Sequence, residues 1–329
     1  MNDRSLGNSG LNVTPIGLGL AALGRPGYIN LGHGDDLESD YQLDSMEARA
    51  HRVLDAAWET GIRYFDAARS YGRAEAFLSS WLQTRQHPDL TISSKWGYTY
   101  TADWQIEAEA HEVKEHSLKV LNEQIKQSRE QLGEQLHLYQ IHSATLESGV
   151  LDNQPVLERL GELKSEGLRI GLSVSGAGQS DVIRKALSTL INGSPLFDTC
   201  QATWNLLETS ATAALSEARQ SGMGIIIKEG LANGRLTCRN TTESFRRKRE
   251  VLETLAKRCD TTIDALCLAA VLAQPWVDTV LSGAATPEHL QSNQLAVSLQ
   301  IPDDVLSTLS SLTEAPETYW KTRSALAWN

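Results

Sequence analysis

The chain has 329 residues, 41% of them hydrophobic and 22% charged, which excludes a largely disordered polymer. Lys and Arg number 30 against 41 Asp and Glu, a formal net charge of −11 that disfavours non-specific binding to nucleic acid or an anionic membrane. Cys200, Cys238, Cys259 and Cys267 show no metal-ligand spacing, and the start MNDRSLGNSG has no apolar signal core, so a soluble protein in the reducing cytoplasm is expected.

In chain order, β-like runs at 14–20, 62–66, 91–95, 136–142, 168–174, 197–202, 225–228 and 277–282 predict eight strands. Helical spacing predicts helices at 75–85, 113–132, 155–166, 181–191, 211–220 and 287–297. Ahead of the second strand, Asp44-Ser-Met-Glu47 resembles a capping box. The stripe Met46, Ala50, Val53, Leu54 and Ala57 then runs to a stop at Gly61. Alternating strands and helices with no Pro/Ser/Gly linker predict one α/β domain over 1–329, a (β/α)8 TIM barrel. Two segments exceed the minimal barrel: a long Gly-rich first loop, 25–43, and a tail, 315–329. The tail's Tyr319, Trp320 and Trp328 either close a pocket or pack on the barrel's outside.

Barrel enzymes gather their chemistry at the C-terminal ends of the strands. Asp66, Lys95 and His142 end three of the predicted strands, and Tyr71 follows Asp66 in DAARSYG. Taken singly, each reads as a solvated or loop residue. Together they form a proton-transfer set. A phenol is a poor acid near its usual pKa of about 10. Lys95 is expected to lower that value, Asp66 to hold Lys95, and His142 to hydrogen-bond a substrate oxygen on which charge builds.

GIRYFDAARSYG, ISSKWG, YQIHSA, GLSVSG, QATWNLLE and LSGAATPEHLQSN, in this order, resemble the aldo-keto reductases over nearly the whole chain. The resemblance implies a nicotinamide cofactor bound without a Rossmann domain, and hydride transfer between a carbonyl (aldehyde, ketone or sugar) and an alcohol. It makes Tyr71 the general acid/base, tuned by Lys95 and Asp66, with His142 orienting the carbonyl. Ser173 and Gln201 match positions that hydrogen-bond the nicotinamide carboxamide, and Trp204 the position that stacks under the ring. Leu231, Asn233 and Arg235 fall in the loop over the pyrophosphate, Arg235 being the candidate phosphate cation. Gly283, Ala284, His289 and Asn293 fall at the adenosine end, where Thr286 and Pro287 open a helix.

Three departures stand out. Val174 replaces a common Asn, Glu229 replaces a common Ser beside the pyrophosphate, and the Lys or Arg usual at the 2′-phosphate is absent. NADPH is the family expectation, and NAD is the alternative because those cations are missing. For substrate contact, Trp96 is the main candidate, followed by Tyr98, Trp104 and Tyr28. The partner is a small-molecule carbonyl or alcohol, no metal is expected, and the resemblance implies a monomer. Two other readings are a cofactor-sensing regulatory subunit on the same barrel, motivated by the departures, and a metal-dependent barrel with Asp66 and His142 as ligands.

Overall fold

The computed structural model describes residues 3–85, 87 and 89–329. Among them, eight parallel strands close into a barrel in sequential order. They are β1 (Ile16–Gly19), β2 (Tyr64–Asp66), β3 (Thr91–Trp96), β4 (Leu138–Ala144), β5 (Arg169–Val174), β6 (Thr199–Thr203), β7 (Gly224–Lys228) and β8 (Thr279–Ser282). The register Val280↔Ile16 between β8 and β1 makes the closure.

The helices of the βα units are α1 (Leu43–Glu59), α2 (Ala74–Thr84), α3 (Leu118–Leu132), α4 (Gln154–Ser165), α5 (Gln179–Leu187) and α6 (Thr212–Gln220). Then follow α7 (Arg246–Arg258), α8 (Ile263–Leu272), α9 (Pro287–Gln294), α10 (Asp303–Ser310) and α11 (Pro316–Ser324). No helix among the described residues is long and apolar enough to cross a membrane.

The apolar stripe of α1 is buried, as its spacing predicts. Its start differs from the expected capping box, because Gln42 is the N-cap and makes no side-chain cap bond. Asp44 therefore lies in the first turn, where its charge meets the positive end of the helix dipole. The predicted helix 113–132 is shorter than expected. Glu112–Lys114 pairs antiparallel with Tyr98–Tyr100, and α3 begins only after Ser117, whose hydroxyl accepts from the Val120 N–H at 3.2 Å. The predicted helix 181–191 ends at Leu187, and Leu190–Ile191 turns back on Ser194–Pro195.

Period-two alternation sets what fills the barrel. At the bottom Leu6, Val13, Tyr64, Leu138, Ile226 and Leu281 form a plug. The Tyr64 ring fits there because β1 carries Gly17, where an added Cβ would lie 2.6 Å from Tyr64 Cδ1. Above the plug the interior turns polar. Ser93 Oγ (2.7 Å), Gln140 Nε2 and Gln201 Nε2 (both 3.1 Å) all donate to Asp66 Oδ1.

The two extra segments close the top. Tyr28 and Asn329 exchange backbone hydrogen bonds, and Asn329 Nδ2 donates to the Asn30 carbonyl at 2.9 Å, so the tail is fastened to the first loop. Tyr319 of α11 is fully buried, while Trp320 and Trp328 face a cavity, so the tail both packs and covers.

Candidate active site

A cavity of ≈ 1060 Å³ opens above the polar layer, at the C-terminal ends of the strands. At one end lie Tyr71, His142 and Gln201; at the other Gly283, His289 and Asn293.

The catalytic candidates converge at the first end. Lys95 is fully buried, ion-paired with Asp66, and donates to the Ala67 carbonyl at 2.9 Å and to Tyr71 Oη at 3.3 Å. The Tyr71 and His142 rings meet edge to face, 5.5 Å apart. Ser70 Oγ holds His142 Nδ1 at 3.4 Å.

Burial governs the protonation states here. It pushes the Tyr71 phenol well above its usual value, and the Asp66 carboxylate adds to the rise, with Arg25 opposing. The net direction is therefore upward, against the lowered value expected from the Lys95 ammonium alone, and in the free site the phenol is held as an acid. Burial, then the cations Lys95, Lys228 and Arg25, push His142 well below its usual value, so the imidazole is neutral at neutral pH. Burial also lowers the Lys95 ammonium, which its Asp66 partner opposes.

Several expected contacts do not reach the cavity. Trp96 follows Lys95 on β3, so by alternation its ring points outward; it is fully buried under the helices, edge to face with His116. This placement removes Trp96 from contact with substrate. Trp204 has the opposite parity to Gln201 and Thr203, packs edge to face on Trp276, and donates its indole N–H to Thr212 Oγ1 at 2.9 Å. It therefore cannot lie under a nicotinamide. Trp104 packs against Phe77 and donates to the Tyr41 carbonyl at 2.7 Å, away from the main cavity.

Ser173 is fully buried and its hydroxyl accepts from the Ser143 N–H at 2.8 Å, so it supports the cavity floor without lining it. Gln201, Leu231, Asn233, Gly283, Ala284, His289, Asn293, Tyr98 and Tyr28 do line the cavity.

Arg235 is the clearest correction. Its Nη2 donates to both oxygens of Glu314, at 2.8 and 2.9 Å, and the guanidinium is spent on holding the tail. The arginine of this loop that faces the cavity is Arg239, four residues later. It clamps Asp36 of the first loop with both terminal nitrogens, donates to the carbonyls of Leu31 and Gly32 at 3.1 and 3.0 Å, and lies 3.2 Å from His289 Nε2. The motif RLTCRN held both arginines, but only the turn between them decides which one faces inward. Asp36 carried no sequence signal beyond its place in the long loop.

Glu229 turns from the strand end to Arg323 of α11, 2.7 Å away, with Lys228 at 3.8 Å. Burial pushes this carboxyl up, but Arg323 and then Lys228 outweigh it and hold it at about 2. Burial lowers the Lys228 ammonium to about 8. The helix after β8 starts as predicted: Thr286 caps it, accepting from the His289 N–H at 3.3 Å, with Pro287 in the first turn.

The sequence profile of the Aldo/keto reductase family matches residues 15–314. An uncharacterized oxidoreductase, YqkF, of Bacillus subtilis is 26% identical over 95% of this chain and 97% of its own. Pyridoxal 4-dehydrogenase of Microbacterium luteolum is 27% identical over 94% of this chain and 96% of its own. Among solved structures, the aldo-keto reductase AKR11C1 of Bacillus halodurans, in its holo form, superposes with a TM-score of 0.76 at 23% identity, covering 97% of this chain and 99% of its own. On the barrel, the strand-end cluster and this profile match together, the chain belongs to the aldo/keto reductase family.

Proposed function

We propose that the protein is an NAD(P)(H)-dependent oxidoreductase that interconverts a carbonyl and an alcohol, with Tyr71 as the proton donor. The observation that carries this reading is the chain Asp66, Lys95, Tyr71 beside a neutral His142, at one end of a cavity of ≈ 1060 Å³. A relative named for dehydrogenation of pyridoxal agrees with redox chemistry at an aldehyde.

The cavity suits a nicotinamide dinucleotide. Asn233 Oδ1 is a buried acceptor without a partner in its wall, and the capped start of α9 presents backbone N–H groups near Gly283 and Ala284. Gln201 would hold the carboxamide end and Asn293 the adenosine end. When bound, the reduced nicotinamide supplies the hydride.

His142 offers a ring nitrogen without a protein partner to the carbonyl oxygen, which polarises it. Tyr71 delivers the proton from Oη, and the Lys95 ammonium at 3.3 Å stabilises the phenolate left behind. Asp66 and the Ala67 carbonyl fix Lys95 in place for that task.

Coenzyme choice turns on Asp36. A 2′-phosphate would draw Arg239 from Asp36 and sit beside its carboxylate, whereas a free ribose hydroxyl finds an acceptor there. We therefore propose that NADH binds at least as well as NADPH.

The test is Tyr71→Phe. Reduction of a carbonyl panel should slow by about 10²–10⁴-fold, while NADH still quenches tryptophan fluorescence. Near-normal turnover of the variant would falsify the proton-donor role. Failure of both NADH and NADPH to bind the parent protein would sink the oxidoreductase reading.

A further inference from the structure

Three carboxylates face the catalytic end of the cavity, and each has a basic partner: Asp66 with Lys95, Glu112 with Arg25, and Glu229 with Arg323. Two ammonium groups then remain in excess. Lys228 lines the cavity and, among the described residues, donates only to Thr203 Oγ1, at 2.9 Å; of the carboxylates whose charge reaches it, Glu229 is engaged by Arg323 and Asp66 by Lys95. Lys114 lines the same cavity two residues along the hairpin strand from Glu112 and makes no ion pair within 4 Å among the described residues; Glu147, outside the cavity lining, is the carboxylate whose charge reaches it. In a chain of net charge −11, the catalytic mouth is a local positive field.

Arg25 gives that field a fixed point. Its side chain is 3% exposed, and its guanidinium carbon sits 5.4 Å from the centre of the Tyr71 ring, 5.3 Å from that of Tyr28 and 4.8 Å from that of Trp328. Three aromatic rings hold it, so little freedom is lost when a ligand binds. Nη1 makes both of its hydrogen bonds, to the Ser70 carbonyl and to Glu112, each at 2.9 Å. Among the described residues Nε is buried without a partner, and Nη2 has no acceptor. A desolvated guanidinium with unused donors, beside the proton donor, has the chemistry of a carboxylate anchor.

We infer that the substrate is an anionic carbonyl compound, an oxo acid whose carboxylate is drawn to Arg25 and the field of Lys114 and Lys228 while its carbonyl meets Tyr71 and His142. This deepens the proposed oxidoreductase reading and rests on it. Neutral aldehydes of the same shape lose the anchor and are poorer substrates.

Matched pairs test this. 3-Carboxybenzaldehyde and 4-carboxybenzaldehyde are each compared with the corresponding carboxamide, which keeps the shape and removes the charge. The expected kcat/KM ratio of carboxylate to carboxamide is tenfold or more at low salt, and it falls as salt screens the field. In Arg25→Gln the ratio should fall towards one, whatever the absolute rates. Because Arg25 is buried and paired, Lys114→Gln on the exposed hairpin is the second variant, expected to reduce the ratio severalfold.

A ratio near one in the parent protein overturns the inference, as does a high ratio that survives both substitutions. Turnover of the carboxamides alone leaves the oxidoreductase reading intact and removes only the anionic substrate. If NADH or NADPH binds but no member of either pair is reduced, the anionic substrate is again what fails. If neither coenzyme binds, both readings fall.

Discussion

Asp36 shows how one residue outside the barrel can set a preference the barrel strands leave open. Its side chain is 8% exposed, paired with Arg239 and 3.6 Å from His289 Nε2, so a carboxylate already occupies the guanidinium on that side of the cavity. A phosphate with close to two negative charges gains Arg239 only by displacing this carboxylate and then stays next to it. Asp36→Asn removes that repulsion and frees Arg239, while the amide still offers an acceptor to a ribose hydroxyl. The ratio Kd(NADH)/Kd(NADPH) should then rise tenfold or more, about 1.4 kcal/mol. Parallel fluorescence titrations read this directly, and an unchanged ratio would show that the adenosine end lies elsewhere. Tyr71 makes the complementary point at the other end of the cavity. Sequence chemistry placed a lysine beside a phenol and predicted a lowered pKa, but burial, which no spacing rule reports, reverses the direction.

At the scale of elements, the strands carry the argument through parity. β1 brings Gly17 against Tyr64 with no room for a methyl group, so Gly17→Ala should cost about 1–3 kcal/mol through overpacking. Urea unfolding measures this, and a loss below about 0.5 kcal/mol would mean that the Tyr64 ring moves aside freely. The eight strands and seven of the helices were legible because their periods of two and near 3.6 are strong in the sequence. Helix α8, IDALCLAAVL, was not, because it is apolar on nearly every face and has no amphipathic period to read. Asp66, Lys95 and His142 were legible as polar residues ending apolar strands. Trp96 follows Lys95 but turns its ring to the other side, and Trp204, matched to the nicotinamide by the family resemblance, stands just beyond β6 with its ring against Trp276; one step along or beyond a strand reverses the face. Arg239 and Asp36 were missed because long loops have no period, and their contact joins positions 203 residues apart.

For the molecule as a whole, charge balance and buried histidines make opposite predictions about acid. The pI is about 5.3 and the net charge at pH 7 is −11, so lowering the pH to 5 relieves self-repulsion, which by itself stabilises the compact state. Against this, burial lowers His33 and His116 each to about 4, from a usual 6.5. His33 is fully enclosed within the first loop, and His116 sits behind β3 with Nε2 2.9 Å from the His142 carbonyl. These groups are neutral in the fold and charge readily once unfolded. The unfolded chain therefore binds more protons between about pH 6.5 and 4, and stability present above 6.5 is lost as pH falls towards 4. Each histidine should cost about 2 kcal/mol between pH 7 and 5, which exceeds a diffuse surface term screened by salt. His142 acts in the same direction, and Glu229, held at about 2 against a usual 4.5, extends the loss to lower pH. Urea midpoints should thus fall from pH 7 to pH 5 even as the pI is approached. His116→Gln, which keeps a donor for the His142 carbonyl but cannot be protonated, should flatten that fall by about 2 kcal/mol. A stability maximum near pH 5.3, or a variant whose slope matches the parent's, would show that net charge rather than buried histidine governs the acid limb.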